Sequence, residues 1–364
     1  MRYSDYDESS VRVRPNKKGT RPRTKDRPAY DKAVIGRIIT VDRGRYTAIL
    51  DEDSAAERIV IAARARELRR QAIVPGDLVA LVGDTSGKPD TLARLVRIEE
   101  RSTLLRRSAD DTDATERVVV ANVDKLVIVV AAANPEPRTG FVDRALVAAY
   151  DAGISPVLCV TKADVKDPAE FLKHYEGLPL DVVISRTTGS EATGVDARGA
   201  DGSSARLAVG ALDELEELLA GCVSVVIGHS GVGKSTLVNA LTGSTRATGQ
   251  VNSVTGRGRH TSSSALALRL GDAPGGWLID TPGIRSFGLG LVDPDNILGA
   301  FGELAQIATR CPRGCNHQAN AAGCALEAWV QDPDTPPAAA SRLASYRRLI
   351  TTEDISHEKE LGAL

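Results

Sequence analysis

The sequence predicts a multidomain fold: a small N-terminal β-barrel, an α/β domain with a mostly parallel sheet, and a C-terminal helical segment around a cysteine–histidine cluster. Three changes of texture along the 364 residues carry this reading. Short β-branched runs dominate residues 33–107, strands alternate with helices over residues 108–290, and helical segments flank the cluster in residues 291–364.

Residues 1–32 precede these regions and have almost no apolar pattern. Between residues 11 and 32, nine Lys/Arg stand against Asp26 and Asp31, giving 9 − 2 = +7. The net charge of the chain is −2, so the remainder sums to −9. With three prolines in the same stretch, a disordered basic arm is expected. It reads either as a solubilising tail or as an arm that seeks nucleic-acid phosphates.

The barrel strands are AVIGRIITVD, RYTAILDED, ERIVIAA, DLVALVGD and LARLVRIEE, punctuated by Gly44, the Pro75-Gly76-Asp77 turn and Gly87. Five strands in some 70 residues fit an OB-fold. In the α/β region the strands are KLVIVVAA, PVLCVTK, DVVISR, VSVVIGH, ALALRL and GWLIDTPG, with helices FVDRALVAAYDAG and LDELEELLAG between them. Residues 189–206, rich in Gly, Ser and Ala, are expected to be a mobile loop.

Composition excludes several classes. The longest apolar run, Leu126 to Ala133, is far short of the roughly 20 residues a membrane span needs. The opening MRYSDYDESS has no apolar leader, and five cysteines in so long a chain do not make a disulfide scaffold. A cytoplasmic protein with free thiols or a metal site is expected, and Cys159 and Cys222 read as buried small hydrophobes.

The strongest motif is Gly228-His229-Ser230-Gly231-Val232-Gly233-Lys234-Ser235, followed by Thr236. It fits the phosphate-binding pattern and sits between a buried strand and a helix start. Its glycines let backbone N–H groups cradle phosphate oxygens, Lys234 supplies a point charge, and the Ser235 hydroxyl can ligate Mg²⁺. Asp280-Thr281-Pro282-Gly283 closes the strand WLID; Asp280 can hold the magnesium and the Gly283 N–H can meet the γ-phosphate. Thr161-Lys162-Ala163-Asp164 ends the strand PVLCV. A carboxylate at Asp164 can accept from the N1–H and amino edge of guanine, a pair that adenine lacks, and the Lys162 stem would cover the base. Ser185, ending DVVIS, is placed to contact the guanine carbonyl.

Order is informative here. The guanine-reading motif precedes the phosphate loop, the reverse of ordinary GTPases, which makes this a circularly permuted domain. In combination the motifs resemble the ribosome small-subunit-dependent GTPases (RsgA type). That resemblance covers about residues 33–350 and implies an OB-fold before the permuted domain and a zinc-binding domain after it. It implies a GTP hydrolase acting in assembly of the 30S subunit, with 16S rRNA as a partner. Gly256-Arg-Gly-Arg259-His260-Thr261 matches the family's switch, which makes Thr261 the residue that senses Mg²⁺ and the γ-phosphate. Ile284 follows Gly283 where Ras-like proteins keep a water-orienting Gln, and an isoleucine can orient no water. The resemblance gives that role to His260.

Cys311, Cys315, His317 and Cys324 form a Cys₃His set within fourteen residues, suited to tetrahedral zinc. The family spaces the first two cysteines one residue further apart. A segment with little apolar core of its own is expected to lean on that metal. In the barrel the sole aromatic is Tyr46, whereas Arg64, Arg66, Arg69 and Arg70 cluster. The barrel is therefore expected to grip folded RNA through phosphates and shape rather than by base stacking, and to sit at the far end of the sheet from the Asp280 motif. The chain is expected to be a monomer with no membrane association. Two other functions fit parts of the sequence: a P-loop kinase, or RNA binding unrelated to the ribosome and without turnover.

Overall fold

The computed structural model describes residues 30–42, 44–68, 71–108, 116–186, 194–198, 204–243, 265–271, 276–281, 292–336 and 339–351. The chain divides into Met1–Ala33 and Val34–Leu364. The basic arm lies outside the described residues apart from its last few positions.

Strands β1 (Val34–Asp42), β2 (Arg45–Leu50), β3 (Arg58–Arg64), β4 (Leu78–Gly83) and β5 (Ala93–Ile98) form the barrel. Their order is β1-β2-β3-β5-β4, closed by antiparallel β1–β4 pairing, with β3 and β5 parallel. This is the five-stranded OB arrangement that the sequence predicts. Ile38, Leu50, Val60, Leu81 and Leu95 fill it, and Tyr46 is buried among them. The one barrel aromatic is thus core, not a stacking platform.

An antiparallel hairpin follows, β6 (Leu104–Ser108) and β7 (Glu116–Ala121), which the sequence reading did not anticipate. The α/β domain comprises β8 (Lys125–Ala131), α1 (Thr139–Asp151), β9 (Ser155–Thr161), the short α2 (Ala169–Leu172), β10 (Asp181–Ile184), a hairpin of β11 (Gly194–Arg198) and β12 (Ser204–Ala208), α3 (Val209–Leu219), β13 (Val223–Gly228), α4 (Lys234–Thr242), β14 (Leu266–Arg269) and β15 (Trp277–Asp280). Strands β10-β9-β8-β13-β15 run parallel, and β14 is antiparallel to β15. The β11–β12 hairpin corrects the expected loop at 189–206: backbone pairing from Gly194↔Ala208 to Arg198↔Ser204 orders both arms despite their small residues.

Alternation along the central strands serves two cores. Leu126, Ile128, Val130, Leu158, Val160 and Ile227 point to the α1 side, while Val127, Val129, Val157, Cys159 and Val226 face α3 and α4. Cys159 is buried as expected; Cys222, just before β13, is half-exposed.

The C-terminal helices are α5 (Pro294–Ala300), α6 (Gly302–Ala308), α7 (Ala325–Val330) and α8 (Ala339–Thr351). Asp293 caps α5 by accepting from the Asp295 N–H, and Pro294 sits where a missing N–H costs nothing. Phe301, Leu304, Leu326, Tyr346 and Leu349 are buried in one core with α1. The segment expected to have little core of its own therefore borrows one from the α/β domain.

The barrel's seat differs from expectation. β1 pairs with β14 through Thr40↔Leu266, so one sheet runs from β10 into the barrel. Arg269 on β14 pairs with Asp53 and Glu57 of the barrel and lies 4.6 Å from the Trp277 ring centroid. The barrel thus adjoins the strands next to Asp280, and β1 covers the edge that β14 would otherwise expose. Among the described residues no helix is long and apolar enough to cross a membrane.

Candidate functional site

The site is assembled at the carboxyl ends of β8, β9, β10, β13 and β15, where parallel α/β sheets place ligands. Gly228 ends β13 opposite Val129, and a Cβ there would lie 2.6 Å from the Val129 carbonyl oxygen. Gly233, at φ +92, turns the chain into α4 in a conformation that side chains resist. Lys234, Ser235 and Thr236 open that helix, half-buried, so their backbone N–H groups and the positive helix end face the loop. The register Val226↔Asp280 brings Asp280 beside them, and Lys234 pairs with Asp280 directly. Thr281, buried, donates to the Val226 carbonyl at 2.9 Å and holds that strand end in place.

Thr161 closes β9 and is buried. Its hydroxyl donates to the Val232 carbonyl in the phosphate loop at 2.5 Å, with the Val130 carbonyl 3.2 Å away. Lys162 adopts φ +57, and its ammonium donates to the Gly231 carbonyl at 2.8 Å and to the Asn134 carbonyl. The base motif and the phosphate loop are therefore laced together by two consecutive side chains. Asp164 is exposed on the turn beyond. That turn is tied to the Ser185 segment, since Ala163 N–H donates to the Ser185 carbonyl at 3.2 Å and Ser185 N–H to the Val160 carbonyl at 2.8 Å. Among the described residues the buried Ser185 hydroxyl has no hydrogen-bond partner, and it lies beside the Thr161–Asp164 turn. His229 in the loop meets Phe141 of α1 edge-on at 4.3 Å between centroids. Ser230 and Gly231 form the exposed crest of the loop, and Val232 is buried beneath it. His260, Thr261 and Gly283 lie outside the described residues.

The second constellation is the Cys₃His set. The ligand atoms of Cys311, Cys315, His317 and Cys324 all lie within 4.8 Å of one another. The Cys311 sulfur is 3.6 Å from His317 Nδ1 and 3.9 Å from the Cys324 sulfur, and Cys324 is 3.9 Å from His317 Nδ1. Tetrahedral metal–sulfur and metal–nitrogen bonds of about 2.3 and 2.0–2.1 Å require edges of about 3.8 and 3.6 Å. The edges among Cys311, His317 and Cys324 are close to these values, so the set could hold a metal, and His317 at φ +56 and Gly323 at φ +72 turn the chain between the ligands. Burial lowers the His317 pKa, favouring the neutral imidazole that binds metals. At Cys324 burial works against ionisation, but N–H groups of Glu327 and Leu326 together with the other thiols bring its pKa below the ordinary thiol value.

The barrel arginines are partly committed elsewhere. Arg64 donates to the Leu68 and Gln71 carbonyls and lies 5.7 Å from the Tyr46 ring centroid, while Arg66 is exposed. Arg69 and Arg70 lie outside the described residues. Sequence reasoning missed Thr281, Asn134 and Phe141, because their roles rest on backbone carbonyls and a ring contact that no motif spacing encodes.

Motif order, strand order and barrel together define a circularly permuted P-loop protein carrying an OB-type barrel and a helical module whose Cys₃His cluster could hold a metal. The profile of the RsgA GTPase family matches residues 98–290. The small ribosomal subunit biogenesis GTPase RsgA of Pseudomonas aeruginosa (strain LESB58) is 39% identical over 284 residues, covering 77% of this chain and 76% of that protein. Its counterpart from Azotobacter vinelandii is 37% identical over the same length. Two crystal structures share the fold: YloQ, a circularly permuted GTPase, at TM-score 0.57 and 20% identity over 90% of this chain and 98% of that one, and YjeQ from Thermotoga maritima, at TM-score 0.57 and 23% identity over 91% and 100%. The chain belongs to the RsgA GTPase family.

Proposed function

We propose that this protein hydrolyses GTP to GDP and phosphate and acts as a maturation factor on the 30S ribosomal subunit, binding 16S rRNA as a cytoplasmic monomer. The observation that carries the reading is the lacing of Thr161 and Lys162 onto the phosphate loop beside Lys234 and Asp280. These ties support reading the Asp164 turn and the phosphate loop as two parts of one nucleotide site. The subunit role rests on the names of the relatives. The working division is an arm at 1–32, an RNA-gripping barrel at 33–107, the GTPase domain at 108–290 and a zinc module at 291–364.

In this mechanism Asp164 reads the guanine edge and the Ser185 hydroxyl meets its carbonyl. Backbone N–H groups from Gly228 to Thr236 cradle the phosphates, and Lys234 transfers its charge from Asp280 to the γ-phosphate. Ser235, Asp280 and Thr261 would hold the magnesium ion, which draws charge off the β- and γ-phosphates. The Gly283 N–H meets the γ-phosphate. His260 positions the attacking water, since Ile284 cannot. Cys311, Cys315, His317 and Cys324 would hold one zinc ion, redox-inert and structural. The deciding experiment is GTP turnover with and without purified small subunits. Phosphate release that rises with subunits supports the reading. Phosphate appearing on an acceptor, or no turnover in either arm, points to a kinase or a non-hydrolysing RNA-binding module.

A further inference from the structure

Two consecutive arginines on α8 serve different neighbours. Arg347 donates to the His317 carbonyl at 2.9 Å and pairs with Glu327 at 2.8 Å, on the metal side. Arg348 reaches the nucleotide-binding domain. Its Nη1 donates to both carboxylate oxygens of Asp143 on α1, each at 2.8 Å, and its Nη2 donates to the His174 carbonyl at 2.8 Å. The guanidinium also lies 5.6 Å from the Tyr175 ring centroid.

His174 and Tyr175 belong to the helical turn Lys173–Tyr175, which continues α2, and α2 begins five residues after Asp164. The Tyr175 ring meets Phe171 of α2 at 5.1 Å, and its hydroxyl donates to the Thr139 carbonyl at the start of α1 at 3.4 Å. Upstream, the base-reading turn is anchored by Thr161, Lys162 and the Ala163–Ser185 bond. Downstream, its anchor is this turn, clamped between α1 and α8. Asp143 is 7% exposed. The Arg348 side chain itself is 34% exposed, and a half-exposed ion pair adds little net stability, so geometry is the better account of what it contributes.

We propose that Arg348 is a positioning residue for guanine recognition. By fixing the 173–175 turn against α1, it sets the attitude of the turn that carries Asp164, and it makes the C-terminal module part of the nucleotide site. This rests on the reading of Asp164 as the guanine-contacting residue. The test uses full-length protein and measures metal content, thermal midpoint, and affinities for GDP and inosine diphosphate, which lacks the amino group that Asp164 would meet. In the parent, GDP should bind more tightly than inosine diphosphate; equal binding would remove the base-site reading and the proposal with it. With Arg348→Gln, the preference for GDP should shrink and GDP affinity should fall about fivefold or more, within the range typical of coupling between sites. Metal content should match the parent. Arg348→Lys keeps the charge but offers one nitrogen in place of the guanidinium fork, so it should fall between the two; it also serves if the Gln variant does not fold. An unchanged GDP preference overturns the proposal, whether both affinities hold or both decline together, because a purely structural role weakens all nucleotides alike.

Discussion

Thr161→Val tests the lacing of the two motifs most directly. The change keeps the side chain's shape and removes one hydroxyl. Thr161 is 5% exposed and its partner Val232 is 3% exposed, so the carbonyl left behind finds no water in the folded loop. An unsatisfied buried acceptor costs about 1–3 kcal/mol. At 1.4 kcal/mol per tenfold, the full cost falling on the phosphate-competent loop would weaken GDP binding by about 5- to 140-fold. Lys162 still holds the Gly231 carbonyl at 2.8 Å, so the loop is not released. The expected loss is therefore at the lower end, about 5- to 10-fold. The assay is fluorescence titration with a labelled GDP on protein shown by circular dichroism to be folded at the assay temperature. Thr161→Ser retains the hydroxyl and should stay close to the parent. A folded Thr161→Val protein that binds GDP within twofold of the parent would refute the reasoning.

Further outcomes follow from the same geometry. Asp164→Asn should shift base preference from GTP towards xanthosine triphosphate, because an amide N–H meets the xanthine carbonyl that a carboxylate repels; unchanged GTP affinity would misplace the base site. His260→Ala should lower turnover at saturating GTP with GDP and GTP affinity nearly intact, whereas Lys234→Ala should damage binding and turnover together, and equal turnover by the His260 variant and the parent would remove His260 from the mechanism. Freshly purified protein should carry one zinc per chain, and Cys311→Ser should lower both metal content and thermal midpoint; well under one equivalent in the parent argues against the site. The GTP form should bind small subunits more tightly than the GDP form, by about 5- to 150-fold if coupling is typical. Titration with a non-hydrolysable analogue and with GDP at one fixed salt concentration reads this, and equal affinities would refute nucleotide control of docking.

The route for such coupling is shorter than the sequence suggests. β15 ends in Asp280 beside Lys234 of the phosphate loop and begins with Trp277, on which Arg269 stacks while pairing with two barrel acids. The α1 side carries the other module, since Asp151 of α1 accepts from the Asp293 N–H and the Asn296 amide of α5, both at 3.0 Å. Barrel and metal module thus contact different parts of one domain: the first touches the strands beside Asp280, the second the helix whose Phe141 meets His229 of the phosphate loop.

The sequence by itself determined what local chemistry can encode. Short β-branched and apolar runs set the barrel and sheet strands, glycines at 228 and 233 suit a loop where a Cβ would crowd or strain the backbone, and the order of Thr161-Lys162-Ala163-Asp164 before Gly228–Ser235 established the permutation. The Cys₃His cluster was legible as a candidate metal site from residue type alone, because few other uses gather three thiols and an imidazole so closely. Tertiary structure decided the rest. It tied buried Thr161 to Val232, since its short hydroxyl reaches the neighbouring loop that strand pairing brings alongside. It seated the barrel on β14, joined α5–α8 to the core of α1, and paired Gly194–Arg198 with Ser204–Ala208 in a stretch whose composition suggested a loop. Each of these depends on which distant segment satisfies an exposed edge, face or carbonyl. Such pairing is a property of the packed chain, and no window of neighbouring residues contains it.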